Sequence, residues 1–160
     1  MKLIFLDFDG VINSAKWLGE HHLNLSRELT SIDSFLTRRA EEFDPSQVQM
    51  ICDLVNDTKA QVVVSSSWRI LHTLEEICEF LITAGWSVDL PIDVTPRTER
   101  GFRGDEVEMW LMDNPGFTHH VILDDDGDFH FHQPLVQTHW DHGVLDRHIE
   151  IALRVLLGEP

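Results

Sequence analysis

Two aspartates, Asp7 and Asp9, stand two residues apart, directly after the apolar run LIFL and directly before Gly10. Carboxylates at that spacing could hold a hard cation, attack an electrophile or move a proton. A second acidic group, Asp124, Asp125, Asp126 and Asp128, follows the apolar residues Val121, Ile122 and Leu123. Between them in the chain, Ser65, Ser66 and Ser67 follow the β-branched run QVVV. Each group has a plainer reading taken alone. Asp and Gly favour turns, a serine run often starts a helix, and DDDGD can be a solvated loop or a calcium-like one. All three follow apolar strand patterns, and that coincidence favours chemistry over turns.

The elements that must position these residues are legible as an alternation of strands and helices. Strands are expected over residues 3–8, 61–67, 120–126 and 135–138, with a weaker one at 86–89. Helical spacing of Val48, Ile51, Cys52 and Val55 follows Asp44 and Pro45, an N-cap and a first helical residue, with Gln47 expected to complete a capping box. Thr73 and Glu76 form a second box ahead of a helix that stops at Gly85. Further helices are expected over 105–112 and from about Leu145 to Leu157, ended by Gly158. The stretch from Ser14 to Glu42 is polar and irregular. Continuous apolar strands separated by helices imply an α/β fold, a three-layer doubly wound parallel sheet. Ligands of such sheets bind beyond the carboxyl ends of the strands, where the aspartates and serines fall.

The chain has 160 residues, enough for one domain with a full core, and no run long enough to span a membrane. The apolar start is cut off by Asp7, too soon for a signal peptide. Cys52 and Cys78 lie in helical patterns without metal-type spacing, as expected of a cytoplasmic protein. A net charge of −16 argues against the broad basic surface of a duplex-binding protein. It leaves room for a nucleotide or a short nucleic-acid end held by a few local cations.

The motifs DFDGVIN, the serine after VVV, a basic residue before a helix, and LDDDGD resemble the four ordered motifs of the haloacid dehalogenase-like (HAD) superfamily. More narrowly, SSSWR, RGDEVEMWL, VILDDDGD and LVQT followed by Gly143 are similar to the HAD phosphatase domains of the Swiss Army Knife RNA-repair proteins and their stand-alone relatives. The resemblance spans most of the chain and is weakest over 14–42, where many members insert a cap; here that insert is short.

The resemblance implies a Mg²⁺-dependent phosphatase. A phosphate monoester is a dianion, and a cation offsets the repulsion met by an anionic nucleophile. Asp7 is then the nucleophile and a metal ligand, forming an aspartyl-phosphate. Asp9 is the general acid and base, with its backbone carbonyl a further metal ligand. Asp125 supplies a second carboxylate; Asp124 shares this role, and Asp128 orients metal-bound water. Ser66, with Ser65 as the close alternative, holds the phosphoryl group. Arg103 supplies the cation of the third motif, with Arg97 and Arg100 as neighbouring competitors.

Substrate contacts are expected from Gly10, Asn13, Ser65, Ser67 and Arg69, with Trp68 packing. In the insert, Lys16, His21, His22, Arg27, Arg38 and Arg39 offer cations and Trp17 a stacking face, although ordinary surface is the plainer reading of most. His130, His132, His139 and His142 invite a zinc site, yet no CxxC or HExxH accompanies them and solvated loop residues are the preferred reading. The expected substrate is a nucleotide or a nucleic-acid terminal phosphate. Two alternatives stand beside it: a phosphatase of sugars or other small metabolites, and a non-catalytic binding module in a repair assembly. Oligomeric state is not legible.

Overall fold

The structure, a computed structural model, describes residues 1–21 and 32–159. His22 and Arg27, named above as cations of the insert, lie outside the described residues. Five parallel strands form one sheet in the order β3-β2-β1-β4-β5. They are β1 (Lys2–Leu6), β2 (Gln61–Val64), β3 (Asp93–Val94), β4 (His119–Asp124) and β5 (Leu135–Gln137). Helices α1 (Ala15–Glu20), α2 (Ile32–Ala40), α3 (Pro45–Thr58), α4 (Leu74–Thr83), α5 (Arg103–Asp113) and α6 (Asp146–Leu157) connect and cover them.

The two-residue period of a strand sorts β1 between two cores. Ile4 and Leu6 join a large cluster with Val48, Ile51, Ile77, Phe80, Ala152 and Leu156, from α3, α4 and α6. Leu3 and Phe5 join a smaller one with Val107 and Trp110 of α5, on the other face. Each fully buried aliphatic or aromatic side chain contributes about 1.5–3 kcal/mol relative to exposure. Burial on both faces is what makes β1 read as an unbroken apolar run.

Register places the chemistry. Leu6 pairs with Val64 on one side and Leu123 on the other. The next residues, Asp7, Ser65 and Asp124, therefore stand level at the carboxyl edge, and the ladder ends with Asp7 N–H donating to the Leu123 carbonyl and Ser65 N–H to the Leu6 carbonyl, both at 3.0 Å.

Several expectations shift. The third strand is Asp93–Val94 rather than 86–89; Trp86 is buried in the large core and donates its indole N–H to the Asp89 carbonyl. Part of the supposedly irregular stretch 14–42 is helical, as α1 and α2. Asp44 caps α3 by accepting from Ser46 N–H. Gln47 forms no capping box; its amide donates instead to the carbonyls of His142 (2.6 Å) and Val144 (3.3 Å). The Thr73–Glu76 box forms as expected.

Candidate active site

Asp7 is 1 % exposed, at the end of the central strand. One of its oxygens accepts the Phe8 backbone N–H at 2.8 Å, and the other accepts from the Arg103 guanidinium at 2.7 Å. The same Arg103 nitrogen also donates to Asp124, which is fully buried at the end of β4. Arg103 thus bridges two strand ends. Asp125, next along, completes a set of three carboxylates with Asp7 and Asp124, whose oxygens lie within 4.8 Å of one another.

Gly10 makes room for the third member. Its φ is +70°, a left-handed conformation that suits glycine, and a Cβ there would meet the Asp125 carboxyl carbon at 2.4 Å. Its carbonyl accepts from the Thr138 hydroxyl at 2.6 Å, which ties the β1 turn to the end of β5. Gly10 is a cradle for Asp125.

Arg103 is aimed by the acidic loop. It opens α5, whose N-cap residue Phe102 makes no side-chain bond. Asp128 serves instead: its carboxylate accepts the Arg103 backbone N–H at 3.3 Å, and its carbonyl accepts that of Gly104 at 3.0 Å. A helix N-terminus is favourable for such an anion. The Gln133 amide donates to the Gly104 carbonyl at 2.8 Å, and a Cβ on Gly104 would meet the Gln133 side chain and the His130 backbone at 2.9 Å. Asp128 stands outside the three-carboxylate set, with one oxygen 4.0 Å from Arg103 Nε.

The electrostatics follow from three converging acids and one fixed cation. Burial raises the Asp7 pKa, against the opposing pull of Arg103, Ser66 and the Phe8 N–H. Burial, then the Asp7 charge, pushes Asp124 up to about 8, again with Arg103 opposing. Burial and the neighbouring acids raise Asp125 as well. Burial disfavours the Arg103 charge, but Asp7 and Asp124 outweigh that and hold its pKa above the usual arginine value. One guanidinium does not balance three carboxylates, and the remaining negative charge with hard oxygen donors fits a divalent cation such as Mg²⁺.

Asp9 stands outside this set. Its carboxylate accepts from the Asn13 amide at 2.8 Å and from the Trp68 indole N–H at 3.1 and 3.2 Å. Asn13 is buried, and its amide oxygen accepts the Gly10 N–H at 3.1 Å. Trp68 packs in the core, as expected, and also donates to a site residue, which the sequence reading missed. Asn13 is four residues beyond Asp9, a spacing that offered a local signal; Trp68 offered none.

Ser65 and Ser66 are buried, and Ser67 is exposed. The Ser66 hydroxyl favours the ionised form of Asp7 and accepts the Trp68 backbone N–H at 3.4 Å. The Ser65 hydroxyl is buried without a hydrogen-bond partner. Arg69, expected at the substrate, is turned into the fold because nearby carbonyls and a buried carboxylate draw its guanidinium inward. It donates to the carbonyls of Thr95 (3.0 Å), Ser65 (2.5 Å) and Ser66 (2.6 Å) and pairs with buried Glu106.

In the described part of the insert, Trp17 and Arg39 are engaged within the fold. Trp17 stacks on His21 with ring centres 3.5 Å apart and donates its N–H to the Glu41 carbonyl. Arg39 pairs with Glu42 at 2.6 Å and lies 3.9 Å over the Trp68 ring. The histidines do not gather as one group. His130 pairs with Asp105 at 2.9 Å and Glu108 at 3.6 Å and stacks on His132, whereas His139 neighbours His142.

A family described as the HAD domain in Swiss Army Knife RNA repair proteins matches residues 3–149. No curated protein and no solved structure matches the chain.

Proposed function

The chain belongs to the family of HAD domains in Swiss Army Knife RNA repair proteins, and from that premise we propose that it is a Mg²⁺-dependent phosphomonoester hydrolase. Its substrate is a nucleotide or a nucleic-acid terminal phosphate. The observation that carries this reading is Asp7, a buried carboxylate held from two sides at a strand edge, with Asp9 two residues on and turned to separate partners.

Asp7, Asp124 and Asp125 would hold the cation, with the Asp9 backbone carbonyl as a further ligand. When bound, the cation supplies charge neutralisation between the ester dianion and the attacking carboxylate. Arg103 holds and orients Asp7, and Ser66, beside it, donates to a phosphoryl oxygen. An Asp7 oxygen attacks phosphorus, the ester P–O bond breaks, and the leaving oxygen takes its electron pair and a proton from Asp9. Asp9, now ionised, takes a proton from water, whose oxygen displaces Asp7 from phosphorus. Phosphate leaves, and both aspartates return to their starting states.

Ser65, Ser67, Gly10 and Asn13 border the position of the phosphoryl group; Arg69 supports the serine loop from behind. The preference for nucleic-acid ends rests on the family description. The test is phosphate release from nucleoside 5′- and 3′-monophosphates, phosphorylated oligonucleotides and sugar phosphates, each with Mg²⁺ and with EDTA. Release is expected only with the metal, falling by about 10³-fold or more in Asp7→Asn, as for loss of a nucleophile. Release indifferent to Asp7→Asn would refute the mechanism, and a preference for sugar phosphates the substrate class.

A further inference from the structure

We infer that Trp68 is a positioning residue for proton transfer: its indole N–H, with the Asn13 amide, clamps the Asp9 carboxylate where the leaving oxygen departs. The inference rests on the phosphatase reading and adds to it a residue whose side chain is otherwise a core aromatic.

The geometry is specific. Trp68 Nε1 lies within 3.2 Å of both Asp9 oxygens, and Asn13 Nδ2 lies 2.8 Å from one of them. The indole is held in the core, 5 % exposed and surrounded by aromatic rings. Phe8 and Phe80 meet it edge-on at 5.7 and 6.1 Å, Phe43 lies 4.9 Å away, and Arg39 covers its face. An indole N–H is a donor only, so it can hold a carboxylate but cannot itself supply the transferred proton. Asn13 is fixed in turn by the Gly10 N–H. Asp9 is thereby the one acid of the turn kept apart from the Asp7–Arg103–Asp124 bridge, with a rigid aromatic core setting its direction.

A core contact alone would not demand this. Packing needs the ring and is satisfied by phenylalanine, whereas the clamp needs the N–H. The separation falls on one step: the ester P–O bond breaks, the leaving oxygen keeps the electron pair, and Asp9 gives it a proton. An alkoxide needs that proton, while a dinitrophenolate leaves without it.

The test compares wild type and Trp68→Phe on a nucleoside monophosphate and on dinitrophenyl phosphate, in one preparation with Mg²⁺. The ratio of the two rates is independent of the folded fraction. Trp68→Phe is expected to lower kcat on the nucleotide by about tenfold or more, part of the full acid contribution, and on the dinitrophenyl ester by less than about threefold. Asn13→Ala is expected to shift the ratio in the same direction. Equal losses on both esters would overturn the inference and leave the phosphatase reading standing. A wild type inactive on both esters would overturn the two together.

A readout without substrate accompanies this. The Trp68 indole N–H resonance, assigned by its loss in Trp68→Phe, is expected to move upfield and exchange faster with water in Asp9→Ala. An unchanged resonance would also overturn the inference.

Discussion

At the scale of single residues, the site is a problem in placing negative charge. Asp124 shows it most directly. Its folded pKa of about 8 stands above the ordinary 3.8, so the folded chain keeps a proton that the unfolded chain releases. The stability this gives is full below the unfolded value and is lost as pH rises through about 8. Asp124→Asn resembles the protonated form at every pH. In EDTA, the melting temperature of Asp124→Asn relative to wild type is therefore expected to climb between about pH 5 and about pH 8. A difference that stays flat would show that Asp124 is not held protonated. Mg²⁺ is expected to raise the wild-type melting temperature more at the upper end of that range and to do little for the variant. The acids themselves were legible from their places after apolar runs. The partners of Asp9 were not, because it meets Trp68 across 59 positions of chain, a distance no local spacing encodes.

At the scale of elements, the edge of the sheet is braced from below. Arg69 ties the carbonyls after β2 to that of Thr95 after β3 and to Glu106 on α5, and Glu106 in turn accepts the Thr98 N–H at 3.1 Å. The paired side chains are 6 % and 3 % exposed, so removing the cation strands a buried carboxylate. Arg69→Leu is expected to cost about 3–5 kcal/mol in chemical denaturation, and Arg69→Leu with Glu106→Leu to recover much of it. Losses that simply add would contradict the pairing. Elements with strong local signals were readable: the Thr73 box, the Pro45 start, and Gly158 with φ +72° after α6. Where tertiary partners outbid local ones, the reading failed. Gln47 found carbonyls near residue 143 instead of its own helix end, and β3 is two residues long, too short to carry an alternation.

At the scale of the whole molecule, the charge of −16 sets how a polyanion can approach. Under the proposed function, this charge argues for binding directed at a terminal phosphate, with no general attraction along a strand. The KM for a phosphorylated oligonucleotide is expected to stay level or fall as salt rises from about 50 to about 200 mM, since screening weakens repulsion. A steep rise would reveal a basic track. No helix among the described residues is long and apolar enough to cross a membrane. The sheet order puts β1 at the centre, between β2 and the much later β4. During synthesis on the ribosome, the first strand therefore emerges with neither neighbour. It waits through three helices, α1 to α3, for β2, and through α4, β3 and α5 as well for β4. Pairings between such distant segments close slowly and leave apolar edges open to other chains meanwhile. Asp7 is made long before the residues that shelter it.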